Sequence, residues 1–141
     1  MAKIKSKKYD YTGQLGLGNS ITYRPLIEVN VSSGVGAKGV SILALIDSGT
    51  DGTLFNLEMA KALGIDISRC KRVKVGGIGE RDGFISEIKL TVPDFRVSMD
   101  MEVIFVDQLP FDGLLGQRHF FEKFRIKFEK DRNKFYLALV R

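Results

Sequence analysis

A chain of 141 residues is one domain's worth, long enough to bury roughly two-thirds of the surface its unfolded form exposes. Its 44% hydrophobic and 28% charged content is ordinary for a globular domain, and no apolar stretch approaches the ~18 residues needed to cross a bilayer, which argues against a membrane partner. The net charge of +5 owes much to four lysines among the first eight residues, and no basic face interleaved with aromatics argues for a nucleic-acid partner.

The segment Met1-Ala2-Lys3-Ile4-Lys5-Ser6-Lys7-Lys8 is basic but lacks the apolar stretch that follows in a secretory signal. Residues 1–20 read as a flexible basic lead and residues 21–141 as a single domain. Cys70 is the only cysteine, so no internal disulfide forms, and the chain suits a reducing cytoplasm.

Strands dominate the reading in chain order. Leu26 to Val31 alternates, with Ile27, Val29 and Val31 on one face. Gly34-Val35-Gly36-Ala37-Lys38-Gly39 spells a dinucleotide fingerprint, but a strand follows it where a helix is required, so it reads as a hairpin turn. Val40 to Ile46 is a near-continuous apolar run, as in a central strand. A short helix is predicted from Asn56 to Leu63, with Asn56 as N-cap and Gly64 as terminator. Glu87 to Val92 alternates and stops at Pro93, and Val97, Met99, Met101, Val103 and Phe105 form the longest alternating series. A second helix is predicted over Gln117 to Phe124, and Lys134 to Val140 reads as a closing strand. Short strands with glycine-rich turns indicate an all-β barrel or sandwich.

One carboxylate stands out. Ile46-Asp47-Ser48-Gly49-Thr50 ends the apolar run, and a strand that delivers Asp-Ser-Gly-Thr into a tight turn exposes Asp47 among backbone amides and hydroxyls. Such a group activates water when a second carboxylate shares its proton. The chain holds one element of this kind, so two copies must meet.

Three segments in order resemble the retropepsins, the retroviral-type aspartic proteases. Ala44-Leu45-Ile46-Asp47-Ser48-Gly49-Thr50-Asp51 is similar to their catalytic segment. Lys74-Val75-Gly76-Gly77-Ile78-Gly79, with Gly83-Phe84-Ile85, is similar to their flap, and Asp112-Gly113-Leu114-Leu115-Gly116 to their hydrophobic-hydrophobic-Gly element. The resemblance covers residues 21–141. It implies an all-β acid-protease barrel with a flap hairpin and one or two short helices, acting as a homodimer on an extended peptide or protein without cofactor or metal.

By that resemblance Asp47 from each of two chains forms the catalytic pair. Ser48 reaches across the two-fold axis to the partner's backbone, Gly49 lets substrate approach, and Thr50 supports the carboxylate. Asp51, Gly76, Gly77, Ile78 and Gly79 bind substrate main chain, and Leu114, Leu115 and Gly116 support the catalytic loop from beneath. Where retroviral enzymes have an Arg holding the residue equivalent to Asp51, this chain has Gln117, with Arg118 one residue later. Glu80-Arg81-Asp82 lengthens and charges the flap tip. Leu45, Ile78 and Ile85 imply a preference for apolar side chains beside the scissile bond, and the closing strand is a candidate dimer element.

Rival readings have less behind them. Asp112 lacks the Ser/Thr-Gly sequel of a second catalytic carboxylate and reads as a turn residue. Asp47 to Thr53 approaches a phosphatase signature, but Gly49 occupies the place of its second Asp. His119, the one histidine, sits beside Phe120 and reads as packed or surface. Cys70 lies between Arg69 and Lys71 and reads as unreactive; Asn30-Val31-Ser32 is a glycosylation sequon by letter only. The alternative functions are a dimeric peptide-binding or scaffolding module of the same fold without turnover, and a nucleic-acid-associated protein acting through its lysine-rich start.

Overall fold

The computed structural model describes residues 5–34, 36–76 and 80–140. The elements in chain order are β1 (Ser6–Asp10), β2 (Thr12–Leu15), β3 (Ile21–Arg24), β4 (Leu26–Ser32), β5 (Val40–Ile46), β6 (Thr53–Asn56), α1 (Leu57–Ala62), β7 (Lys71–Val75), β8 (Arg81–Val92), β9 (Val97–Val106), β10 (Gly113–Leu115), β11 (Phe124–Glu129) and β12 (Lys134–Leu139). No described helix is long and apolar enough to cross a membrane.

Six strands close on themselves in the order β4-β5-β10-β6-β9-β8, and a β4–β8 pairing seals the ring. Closure leaves no free edge around the barrel except where β7 extends it beside β8. The alternating series predicted from sequence point inward as expected: Ile27, Val29 and Val31 are buried, as are Met101, Val103 and Phe105 in the same core. The segment 34–39 joins the antiparallel pair β4 and β5, the hairpin turn its glycines imply; Val35 lies outside the described residues. Helix α1 is short and amphipathic, burying Met59 and Ala60, and Gly64 ends it at φ 71°. Asn56 does not cap it. Its side-chain Nδ2 donates instead to the Leu109 carbonyl at 3.2 Å, tying the helix start to the loop before β10.

Two expectations change. Residues 117–124 are not a continuous helix. A single wide turn spans Gln117–Phe121, with Arg118 extended at ψ 134° and His119 at φ 69°, and Phe124 already begins β11. The cause is competition for backbone donors: the Gln117 amide donates to the Thr50 carbonyl at 2.8 Å and the Arg118 amide to the Asp51 carbonyl at 2.7 Å. Those bonds hold the segment against the loop after β5 and deny it regular helical geometry.

The second change concerns the chain ends. Ser6–Asp10, expected within a flexible lead, forms strand β1 on one side of β12, while β11 takes the other. Tyr9 stacks on the buried Phe135 ring at 5.1 Å and 16°, which gives a lysine-rich strand an apolar anchor. Because β12 is the middle strand of this three-stranded sheet, both its hydrogen-bonding edges are used within the chain. The closing strand therefore has no edge left for pairing with a second copy.

Candidate functional site

The loop after β5 is built from both sides. The Ile46 amide donates to the Pro25 carbonyl at 3.0 Å on one flank, and the Asp47 amide donates to the Leu115 carbonyl at 2.9 Å on the other. Strand β10 runs parallel to β5, with Leu114 beside Leu45 and Leu115 beside Ile46. Ile46 and Leu115 are fully packed, so the strand ends in a rigid seat and the next residue turns outward.

Local chemistry then sets the turn. Asp47 Oδ1 accepts the Gly49 amide at 2.9 Å, its Oδ2 accepts the Thr50 hydroxyl at 3.0 Å, and the Thr50 amide returns to the Asp47 carbonyl at 3.3 Å. This is the aspartate-backbone turn that Asp followed by small residues favours. It leaves Asp47 half-buried, with both oxygens aimed by fixed donors, and Ser48 and Gly49 exposed beside it.

The Leu114-Leu115-Gly116 element lies against the loop, pairing with β5 and accepting the Asp47 amide at the Leu115 carbonyl. A Cβ on Gly116 would stand 2.3 Å from the Gly52 carbonyl oxygen and 2.4 Å from that of Thr50, so only glycine allows this approach. Gln117 adds a contact that sequence reasoning missed: its Nε2 donates to the Ser48 carbonyl at 2.7 Å. A neutral amide thus holds the loop backbone directly after the Leu-Leu-Gly triplet. The only available signal was its place in the motif.

Strands β7 and β8 form a hairpin with Val75 opposite Arg81 and Lys74 opposite Asp82. Gly77, Ile78 and Gly79, expected to bind substrate, lie outside the described residues. The charges near its tip are engaged. Lys74 Nζ meets Asp82 Oδ1 at 2.7 Å, and this hydrogen-bonded ammonium holds the Asp82 carboxyl below the usual carboxylate range. Arg81 donates to the Asp107 and Gln108 carbonyls at 3.1 and 3.0 Å, fastening the hairpin to the loop after β9.

Between the hairpin and the Asp47 loop lies a cleft of about 480 Å³. Gly49, Thr50 and Asp51 form one wall, Lys74 and Gly76 another, and Arg118 and Glu102 stand at its margin. Of the expected site residues, Gly49, Thr50, Asp51 and Gly76 line this cleft, Asp47 and Ser48 precede them in the same loop, and Leu115 and Gly116 contact that loop through backbone. Asp112 does not line the cleft; it is exposed, and its carbonyl accepts the Asn56 amide at 2.9 Å. Among the described residues no cluster of His, Cys, Asp and Glu is arranged to hold a metal ion.

A family model described as aspartyl protease matches residues 28–118, which include the loop, the hairpin and the Leu-Leu-Gly element. No curated protein sequence matches. Among solved structures, a retropepsin-like aspartic protease from Rickettsia conorii superposes with a TM-score of 0.62 at 16% identity, covering 99% of this chain and 97% of that one. The retroviral protease-like domain of Ddi1 from Leishmania major gives 0.53 at 12% identity, covering 82% and 94%. EIAV protease complexed with the inhibitor HBY-793 gives 0.51 at 18% identity, covering 66% and 81%. At these identities the likeness establishes a retropepsin-like fold.

Proposed function

This chain belongs to the aspartyl protease family, and on that premise we propose that it is a homodimeric aspartic endopeptidase in which two copies of Asp47 activate water. The observation that carries the reading is the Asp47 turn. Its two carboxylate oxygens are oriented by the Gly49 amide and the Thr50 hydroxyl at the end of a barrel strand, in a loop whose Gly49, Thr50 and Asp51 line a cleft.

Two carboxylates about 3 Å apart cannot both ionise, so the pair holds one proton. The ionised member takes a proton from a shared water as its oxygen attacks the scissile carbonyl carbon. The protonated member donates to the carbonyl oxygen, giving a neutral tetrahedral diol. Collapse breaks the C–N bond as a proton passes to the departing amine, leaving a carboxylic acid and restoring the single shared proton. The pair titrates as a unit.

Ser48, exposed at the turn, reaches to the partner's loop, and Gly49 admits the substrate backbone. Asp51 and the β7–β8 hairpin, with Gly76, Gly77, Ile78 and Gly79, clasp an extended peptide through its main chain, in the manner of strand addition. Leu45 and Ile85 favour apolar side chains beside the cleaved bond. A lone cysteine, Cys70, suits a reducing cytoplasm.

The test is Asp47→Asn. Purified wild-type protein is expected to cut a peptide library at mildly acidic pH, sensitive to pepstatin, and the variant is expected to cut nothing while keeping its oligomeric state. Cleavage by the variant would remove Asp47 from the chemistry. Tight capture of peptides by a wild type that never cleaves them would assign the fold to a binding module.

A further inference from the structure

The β2–β3 hairpin is patterned inside out. In register, Gly13 pairs with Tyr23 and Leu15 with Ile21, so these four share one face, while Thr12, Gln14, Thr22 and Arg24 share the other. The polar set is the half-buried one. Leu15 is 72% exposed, Ile21 58% and Tyr23 46%, and Leu17 in the connecting turn is 94% exposed. A sheet with one wet face turns its apolar set inward, and an isolated two-stranded ribbon is barely stable in water. Here the apolar face is held outward by a fixed root. The Tyr11 amide donates to the Asn133 carbonyl at 2.8 Å, and Lys130 Nζ donates to the Tyr23 carbonyl at 3.2 Å. The Arg24 guanidinium lies 5.5 Å from the centre of the Phe111 ring.

β3 passes through Pro25 into β4, and the Pro25 carbonyl accepts the Ile46 amide one residue before Asp47. The hairpin therefore springs from the same end of the barrel as a carboxylate whose site is incomplete without its twin. The closing strand cannot supply the join, since both edges of β12 are paired within the chain. The exposed apolar face amounts to on the order of 500 Å² per chain, so two copies withdraw roughly 1,000 Å² from water, the lower bound for a specific interface. We propose that the β2–β3 hairpin is a dimerisation arm, its face of Leu15, Leu17, Ile21 and Tyr23 packing on a second copy of this chain and setting the two Asp47 loops opposite one another. The arm rests on the reading of the protein as a dimeric protease.

Sedimentation equilibrium of the full chain, run beside peptide hydrolysis, tests it. The variant carrying Leu17→Asp and Ile21→Asp is expected to raise the dimer dissociation constant by about 100-fold or more, since two charges enter a desolvated contact. Its hydrolysis is expected to vanish at low protein concentration and return at high concentration. Should the double variant lose its thermal transition, Leu17→Ser at the exposed tip replaces it and must weaken the dimer in the same direction. A folded variant that dimerises as tightly as wild type overturns the arm while leaving the protease intact. A wild-type chain that stays monomeric at every concentration also overturns it. So does a monomer whose binding to anionic phospholipid vesicles is lost on substitution, which assigns the face to a membrane. Failure of the protease reading itself is seen separately, as cleavage that survives Asp47→Asn.

Discussion

Gly116 shows how narrowly a residue without chemistry can define a site. Its missing side chain is what lets the Gln117 and Arg118 amides reach the carbonyls of Thr50 and Asp51. Gly116→Ala places a methyl carbon 2.3 Å from the Gly52 carbonyl oxygen, and backbone has to give way. Overpacking of this kind costs about 1–3 kcal/mol. The larger effect is on geometry, because a shift near 1 Å in a catalytic loop costs about 100-fold in rate. Gly116→Ala is therefore expected to lower kcat/KM by about 100-fold or more while the protein stays folded, as measured by peptide hydrolysis beside a thermal melt. Unchanged kcat/KM would mean that the Asp47 turn does not need this support.

At the scale of elements, β1 is the instructive case. Its lysines give it no apolar period, and its place beside β12 depends on Tyr9, whose ring stacks on Phe135 and whose hydroxyl donates to Asp94 at 3.0 Å. Burial raises the Tyr9 pKa well above the ordinary value, and the hydrogen bond and charge of Asp94 raise it further. A pKa raised in the folded state means the contribution is whole below the unfolded value of about 10 and is lost as pH rises beyond it. Tyr9→Phe keeps the stack and removes the titration. Wild-type melting temperature is expected to fall more between about pH 9 and about pH 11 than that of Tyr9→Phe. Tyr11, raised likewise by burial, titrates in both proteins and cancels from the comparison. Parallel curves would show that the Tyr9 hydroxyl does not hold β1 in place.

The whole molecule raises the question of symmetry. If two chains share one site, a chain with a defective carboxylate disables any dimer it enters. Adding an equal amount of Asp47→Asn to wild type leaves roughly a quarter of random dimers with two acids, so total activity is expected to fall to about half. An enzyme complete in one chain would be unaffected by the addition. Rates read after subunit exchange distinguish the two outcomes, and the specific activity of wild type alone is expected to fall on dilution below the dimer dissociation constant.

What the chain made legible by itself was whatever has a local cause. The strands carrying Ile27-Val29-Val31 and Met101-Val103-Phe105 show their buried faces as a period of two, and the Asp47 turn follows from Asp-Ser-Gly-Thr after an apolar run. Tertiary pairing decided the rest. Thr53–Asn56 and Gly113–Leu115 are too short to carry a period and become strands because neighbours on both sides hydrogen-bond them. The sequence predicts a helix over Gln117 to Phe124 after Gly116, and the loop after β5 claims its amides instead. β1 is a strand because Phe135, 126 positions away along the chain, offers its ring a partner. Periodicity records which side of an element is dry; it cannot record which distant backbone will take its hydrogen bonds, and that choice built the seat on which Asp47 stands.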